Sequence, residues 1–99
     1  MNQKRALSQK QFIQSGFDAS GYSFIEEEGT FVATIDIKVW GNRNLISYMT
    51  LNDGRKIKAC TFPEDYLGMA DMPFGSTVKI TFKKSKSGKI YLREAIFQS

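Results

Sequence analysis

The chain has no histidine, one cysteine (Cys60), one tryptophan (Trp40) and two prolines, Pro63 and Pro73. Without histidine there is no imidazole to shuttle a proton near neutral pH, and the commonest metal ligand is missing. One thiol cannot form a disulfide within the chain or a cysteine-based structural zinc site, and a Cys–His nucleophile is excluded. A single cysteine also fits a reducing compartment. No apolar run approaches the ~18–20 residues that a membrane-crossing helix needs. The charged start has no apolar segment behind it of the kind a signal peptide carries. The expectation is a soluble, cytoplasmic protein with no membrane partner.

Other absences bear on catalysis. Lys86-Ser87-Gly88-Lys89 lacks the framework of a Walker-type phosphate loop. Asp36, Asp53, Glu64, Asp65, Asp71 and Glu94 show no useful clustering, and Glu26, Glu27 and Glu28 are consecutive, so their side chains converge poorly on one ion. The RNP-type aromatic signature of RRM domains is missing too. The reading is of a protein that is not an enzyme, with no catalytic residues, no metal site and no cofactor.

What is present is a 99-residue chain, 41% hydrophobic, with a formal net charge of +4. That length makes one domain with a modest core, which a small β-barrel suits. The charge is uneven: residues 1–28 carry a net −1 and residues 29–99 a net +5. The basic part is therefore the part patterned to fold, and such a field attracts polyanions. Residues 1–28 read as an N-terminal arm. Residues 3–14 contain helix formers with Leu7, Phe12 and Ile13 as a thin apolar stripe, and Gly16 and Gly21 interrupt any regular element after them. Phe17, Tyr22, Phe24 and Ile25 are too apolar for a free tail, so the arm is expected to pack on the barrel formed by residues 29–99.

Within 29–99, five segments alternate with a period of two, the mark of strands with one buried face. In residues 31–40, Phe31, Ala33, Ile35, Ile37 and Val39 share one face. Val32, Thr34, Asp36, Lys38 and Trp40 share the other. After the turn Gly41-Asn42-Arg43-Asn44, residues 45–51 form a strand with two semi-apolar faces. Asn52-Asp53-Gly54-Arg55 has the Asp-Gly signal of a two-residue type I′ hairpin. Residues 56–62 form the next strand, with Ile57, Ala59 and Thr61 inward and Lys56, Lys58, Cys60 and Phe62 outward. A connector of about a dozen residues holds Pro63, Gly68, Pro73 and Gly75, leaving room for one short helical turn. Leu67, Met69, Met72 and Phe74 are expected to plug the barrel end there. Residues 77–83 and 90–97 form the last strands, joined by the basic loop 84–89. In the last strand Ile90, Leu92 and Ile96 share a face with Glu94 as a misfit.

Three hairpin-linked strands, a longer connector and two more strands give the order of a five-stranded Greek-key OB barrel. From about Thr30 to Phe97 the chain resembles the OB-fold single-stranded nucleic-acid-binding proteins, of the small phage, plasmid or mobile-element type. The resemblance rests on residues 31–40, the 52–55 hairpin, Phe74-Gly-Ser-Thr-Val-Lys-Ile-Thr-Phe82 and the loop 84–89. The chain departs from many OB domains in lacking a long helix in the connector. The resemblance implies a groove across the second and third strands, flanked by the first and last hairpin loops. Lys38, Trp40, Arg43, Tyr48, Arg55, Lys56, Lys58, Phe62, Lys84, Lys86 and Lys89 would bind nucleic acid there. Aromatics would stack on bases and cations would meet phosphates. The implied activity is non-catalytic binding of single-stranded DNA with little sequence preference, in replication, recombination or transfer. Two alternatives remain open. One is RNA binding by the same groove; the other is an interaction or assembly module that buries the outer aromatics. An edge strand or the N-terminal segment also leaves room for a homodimer.

Overall fold

The computed structural model describes residues 6–61 and 66–99, with residues 66 and 67 described by backbone alone. The elements in chain order are α1 (Gln9–Ser15), β1 (Ser23–Phe24), β2 (Gly29–Trp40), β3 (Leu45–Leu51), β4 (Lys56–Thr61), a 3₁₀ turn (Tyr66–Asp71), β5 (Thr77–Lys84) and β6 (Ile90–Phe97). They form one open mixed sheet in the order β1-β4-β3-β2-β5-β6. All neighbours are antiparallel except β1 and β4, which run parallel. The five strands expected after residue 28 are thus joined by a sixth. The arm before Gly29 contributes β1, pairing Ser23 with Ile57 and Phe24 with Lys58. Among the described residues, no helix is long and apolar enough to cross a membrane.

β2 is the central strand, and it does not keep one alternation along its length. Ile35 pairs with Met49 but Ile37 pairs with Tyr48, so Asp36 is an extra residue, a β-bulge. A bulge shifts every later side chain to the opposite face. Ala33 and Ile35 lie in the main core, with Met49, Ile57, Val78, Ile80 and Leu92 among their companions. Ile37 and Val39 instead belong to a second apolar cluster, with Leu7, Tyr22 and Tyr48. The five apolar residues expected on one face therefore divide between two. The same shift sends Lys38 inward. It is fully buried, and its ammonium donates to the backbone carbonyls of Met69 and Met72 at the 3₁₀ turn. Met69 and Met72 are buried in the main core and Phe74 packs on it, so the connector closes one end of that core around the lysine.

A second bulge resolves the misfit in β6. Phe82 pairs with Leu92 and Thr81 with Glu94, leaving Arg93 as the extra residue. Beyond it the faces exchange: Ala95 packs on the core, and Ile96, expected inside with Leu92, is 43% exposed.

The β3–β4 and β5–β6 hairpins are built alike. Leu51 N–H donates to Arg55 O at 2.8 Å and Gly54 N–H to Leu51 O at 2.9 Å, with Gly54 at φ 94°. This is a three-residue loop ending in a glycine bulge, not the two-residue type I′ turn expected from Asp-Gly. In the β5–β6 loop, Ser85 N–H donates to Lys89 O at 2.8 Å and Gly88 N–H to Ser85 O at 2.9 Å, with Gly88 at φ 89°.

The arm is tied down at several points. Ser8 Oγ accepts from Gln11 N–H while Gln11 Oε1 accepts from Ser8 N–H, a capping box that starts α1 later than the helix formers suggested. Leu7, expected within the helical stripe, instead pairs with Val39 as a short parallel bridge. Ile13, expected on that stripe, is 78% exposed. Phe12 and Phe17 lie over the far face of the sheet. Phe12 stacks on Tyr48 with ring centroids 5.6 Å apart and 15° between planes, and Tyr22 meets Tyr48 edge-on at 5.3 Å. Aromatic pairs of this kind each add about 0.5–1.5 kcal/mol beyond the area they bury. Beneath them, Asp36 uses its bulge position to accept from Tyr22 Oη at 2.7 Å and from Thr50 Oγ1 at 2.6 Å.

Candidate nucleic-acid interface

The ends of the sheet do not meet along their whole length. Between β4 and β6 lies a cleft of about 540 Å³. Its apolar lining includes Ile25, Ala59, Phe82 and Leu92, all members of the main core. Lys58, Lys84 and Lys89 stand around it with the rings of Phe24 and Tyr91. Phe24 is 58% and Tyr91 44% exposed, so both offer open ring surface. Each is placed by its strand: Phe24 by the parallel pairing with Lys58, Tyr91 by pairing with Lys83. Lys58 Nζ sits 4.8 Å from the centroid of Phe24. A second, shallower depression of about 360 Å³ shares Phe24, Ile25 and Glu26 with the first and continues to Arg55 and Lys56. The Phe24 ring stands between the two, and five cations from two hairpins border this continuous surface.

The structure gathers Arg55, Lys56, Lys58, Lys84 and Lys89 from the residues expected to bind, and Lys86 is exposed on the same 84–89 loop. Two others are corrected. Lys38 does not line a groove: it is fully buried and bonded to main-chain carbonyls, because the Asp36 bulge turned it inward. Tyr48 is 8% exposed, covered by Phe12, Phe17 and Tyr22, so it offers no free face to a base. Trp40 and Arg43 line neither depression. Trp40 is 37% exposed at the end of β2, where its backbone N–H donates to Leu7 O at 2.8 Å, and Arg43 is exposed in the turn after it. Phe62 lies outside the described residues. Phe24 and Tyr91 are not among the residues that the sequence pattern assigns to a site. Tyr91 shares outer parity with Lys89, a signal that could have found it. Phe24 depends on the β1–β4 pairing, which no local pattern announces.

No family model, curated protein or solved structure matches the chain.

Several cations already have partners. Arg55 donates to Glu27 Oε1 and Asp53 Oδ2, both at 2.9 Å, and lies 5.3 Å from the Phe31 ring centroid. These hydrogen bonds, that to Glu27 foremost, raise its pKa. Lys56 Nζ lies 5.3 Å from the Tyr22 ring centroid and 3.4 Å from Thr50 Oγ1. Cys60 is half-buried on the cleft wall; burial pushes its thiol up, and neighbouring Lys58 partly offsets this. Among the described residues, no group of three or more cysteines and carboxylates is placed to hold a metal ion. What the surface can do chemically is hold an anionic chain carrying flat, apolar groups. The ammonium groups meet charge, and Phe24 and Tyr91 supply stacking faces on opposite sides of the cleft.

Proposed function

We propose that the protein is a non-catalytic, single-stranded DNA-binding protein of OB type that binds along the β4–β6 cleft with little sequence preference. The order β5-β2-β3-β4, in which three hairpin-linked strands are joined by a fourth returning beside the first, supports a Greek-key assignment. With β6 added, it supports the OB-type reading. The observation that carries the function is the convergence of Lys58, Lys84 and Lys89 with the exposed rings of Phe24 and Tyr91 around one cleft. Stacking one base on either ring is worth about 1–3 kcal/mol, and the phosphate contacts add affinity that falls steeply with salt. The strand would be held or presented during DNA replication, recombination or transfer, in the cytoplasm.

Fluorescence anisotropy with labelled oligo-dT, oligo-rU and a duplex at two salt concentrations tests the reading. Oligo-dT is expected to bind more tightly than duplex, and Phe24→Ala and Tyr91→Ala each to weaken it about tenfold. Tighter oligo-rU binding would reassign the cleft to RNA. Absence of binding to all three at low salt would overturn the proposal.

An assembly role has one specific observation in its favour. Val32, Lys79 and Ile96 form a row across the open face of β2, β5 and β6, and Val32 and Ile96 are 38% and 43% exposed. Sedimentation showing a dimer that Ile96→Lys dissociates would support it.

A further inference from the structure

We propose that the acidic run Glu26, Glu27 and Glu28 acts as an internal competitor for the nucleic acid, the carboxylates of Glu27 and Glu28 holding donors that backbone phosphates would otherwise take. This rests on the nucleic-acid reading of the cleft and concerns the regulation of that same site.

A run of three acids before a glycine reads most simply as a solvated turn, but its contacts are more particular than that. Glu28 Oε2 accepts from the backbone N–H of Lys84 at 2.7 Å, where the basic hairpin leaves β5. Glu27 Oε1 accepts from Arg55 Nη1 at 2.9 Å, on the hairpin before β4. Glu26 borders both depressions. Glu26 and Glu27 thus border the depressions and Glu28 reaches the basic hairpin, so the run joins one cationic hairpin to the other as a strap of negative charge. Gly29 fixes the exit of the strap: its φ of 147° suits glycine alone, and a Cβ there would lie 3.3 Å from the Phe31 ring.

Carboxylate and phosphate oxygens accept from the same donors in the same way, so one can replace the other. Exposed ion pairs are individually weak. A polyanion that engages several cations at once can therefore lift the strap, whereas a single small anion competes poorly. The strap lowers affinity for short or loosely held anions without closing the cleft.

The test compares two doubly neutralised variants of the full chain with the wild type, using labelled oligo-dT. Glu27→Gln/Glu28→Gln removes strap charge; Asp18→Asn/Glu94→Gln removes the same charge from residues that line neither depression. The strap variant is expected to bind about two- to tenfold more tightly at low salt. Its log K against log salt is expected to steepen by about one, because a phosphate contact no longer displaces an internal carboxylate. The control variant should gain less and keep the wild-type slope. Equal gains and slopes in the two variants, or no gain in the strap variant while the wild type binds, would overturn the competitor alone. No binding by any of the three proteins would overturn it together with the function on which it rests.

Discussion

Lys38 donates from a fully buried ammonium to the backbone carbonyl of Met69, and to that of Met72 beside it. A cation that reads in the sequence as a groove residue is thus the plug of the 3₁₀ turn. Taking an ammonium out of water is costly, and its hydrogen bonds to the two main-chain carbonyls offset that cost. Ser47, directly across the β2–β3 ladder and also fully buried, is small and leaves room for the long side chain.

Lys38→Met should therefore change stability and leave binding alone. It keeps the length of the side chain but removes the ammonium that bonds both carbonyls, while Met69 O keeps the Met72 N–H. Urea denaturation is expected to show a loss of about 1–3 kcal/mol. Oligo-dT affinity, measured where the variant is folded, should stay within twofold of wild type. A tenfold loss of affinity without loss of stability would return Lys38 to the interface.

Tyr22 supplies a pH dependence whose sign is fixed. Burial first, and then its hydrogen bond to Asp36, push the phenol up from its ordinary 10.0 to about 12. Because the folded value lies above the unfolded one, the stabilisation is complete below pH 10 and is lost as pH rises to about 12. Tyr22→Phe should cost about 1 kcal/mol at pH 8 through the lost bond. Denaturation curves at pH 8 and pH 11 should then show a smaller alkaline loss in the variant than in the wild type. An equal alkaline loss in both would assign that sensitivity to other groups.

Gly54 and Gly88 occupy matching positions in the two three-residue loops, at φ 94° and 89°. Neither has a neighbour within 4 Å of an added Cβ, so the cost of a substitution there is conformational and not steric crowding. Gly54→Ala and Gly88→Ala are each expected to lower stability by about 1–2 kcal/mol. Thermal melts should place the two variants close together, and a large difference would mean that the loops are not equivalent.

Cys60 reports on the cleft without any substitution. Burial holds its thiol above the ordinary range, so a thiol reagent should react slowly at neutral pH and faster as pH rises and the thiolate forms. Saturating oligo-dT is expected to slow the reaction several-fold, because Cys60 stands on the cleft wall. Unchanged reactivity under saturation would move the bound strand away from β4 and β6.

The sequence by itself determined the five strands after residue 28 and much of their polarity, but not β1. β3, semi-apolar on both faces, left its buried face open, whereas in β4 and β5 the residues that alternate inward are those found in the core. This is because side-chain direction in a regular strand follows from chain position alone. The capping box Ser8-Gln9-Lys10-Gln11 is local too, with donors and acceptors three residues apart, although the helix formers from residue 3 pointed to an earlier start. Tertiary structure decided what local periodicity cannot encode. One extra residue at Asp36 exchanged the faces of β2, burying Lys38 and splitting its apolar row. Another at Arg93 did the same in β6. A bulge is chosen by the partner strand and by what its side chain can bond, here Tyr22 and Thr50 for Asp36, and those residues are distant in the chain. The covering of Tyr48 by the arm and the placing of Phe24 beside Lys58 are likewise long-range packing. So the cations of the candidate site were largely legible in the sequence, while its two stacking rings were not: their places come from pairing between segments that the chain order keeps far apart.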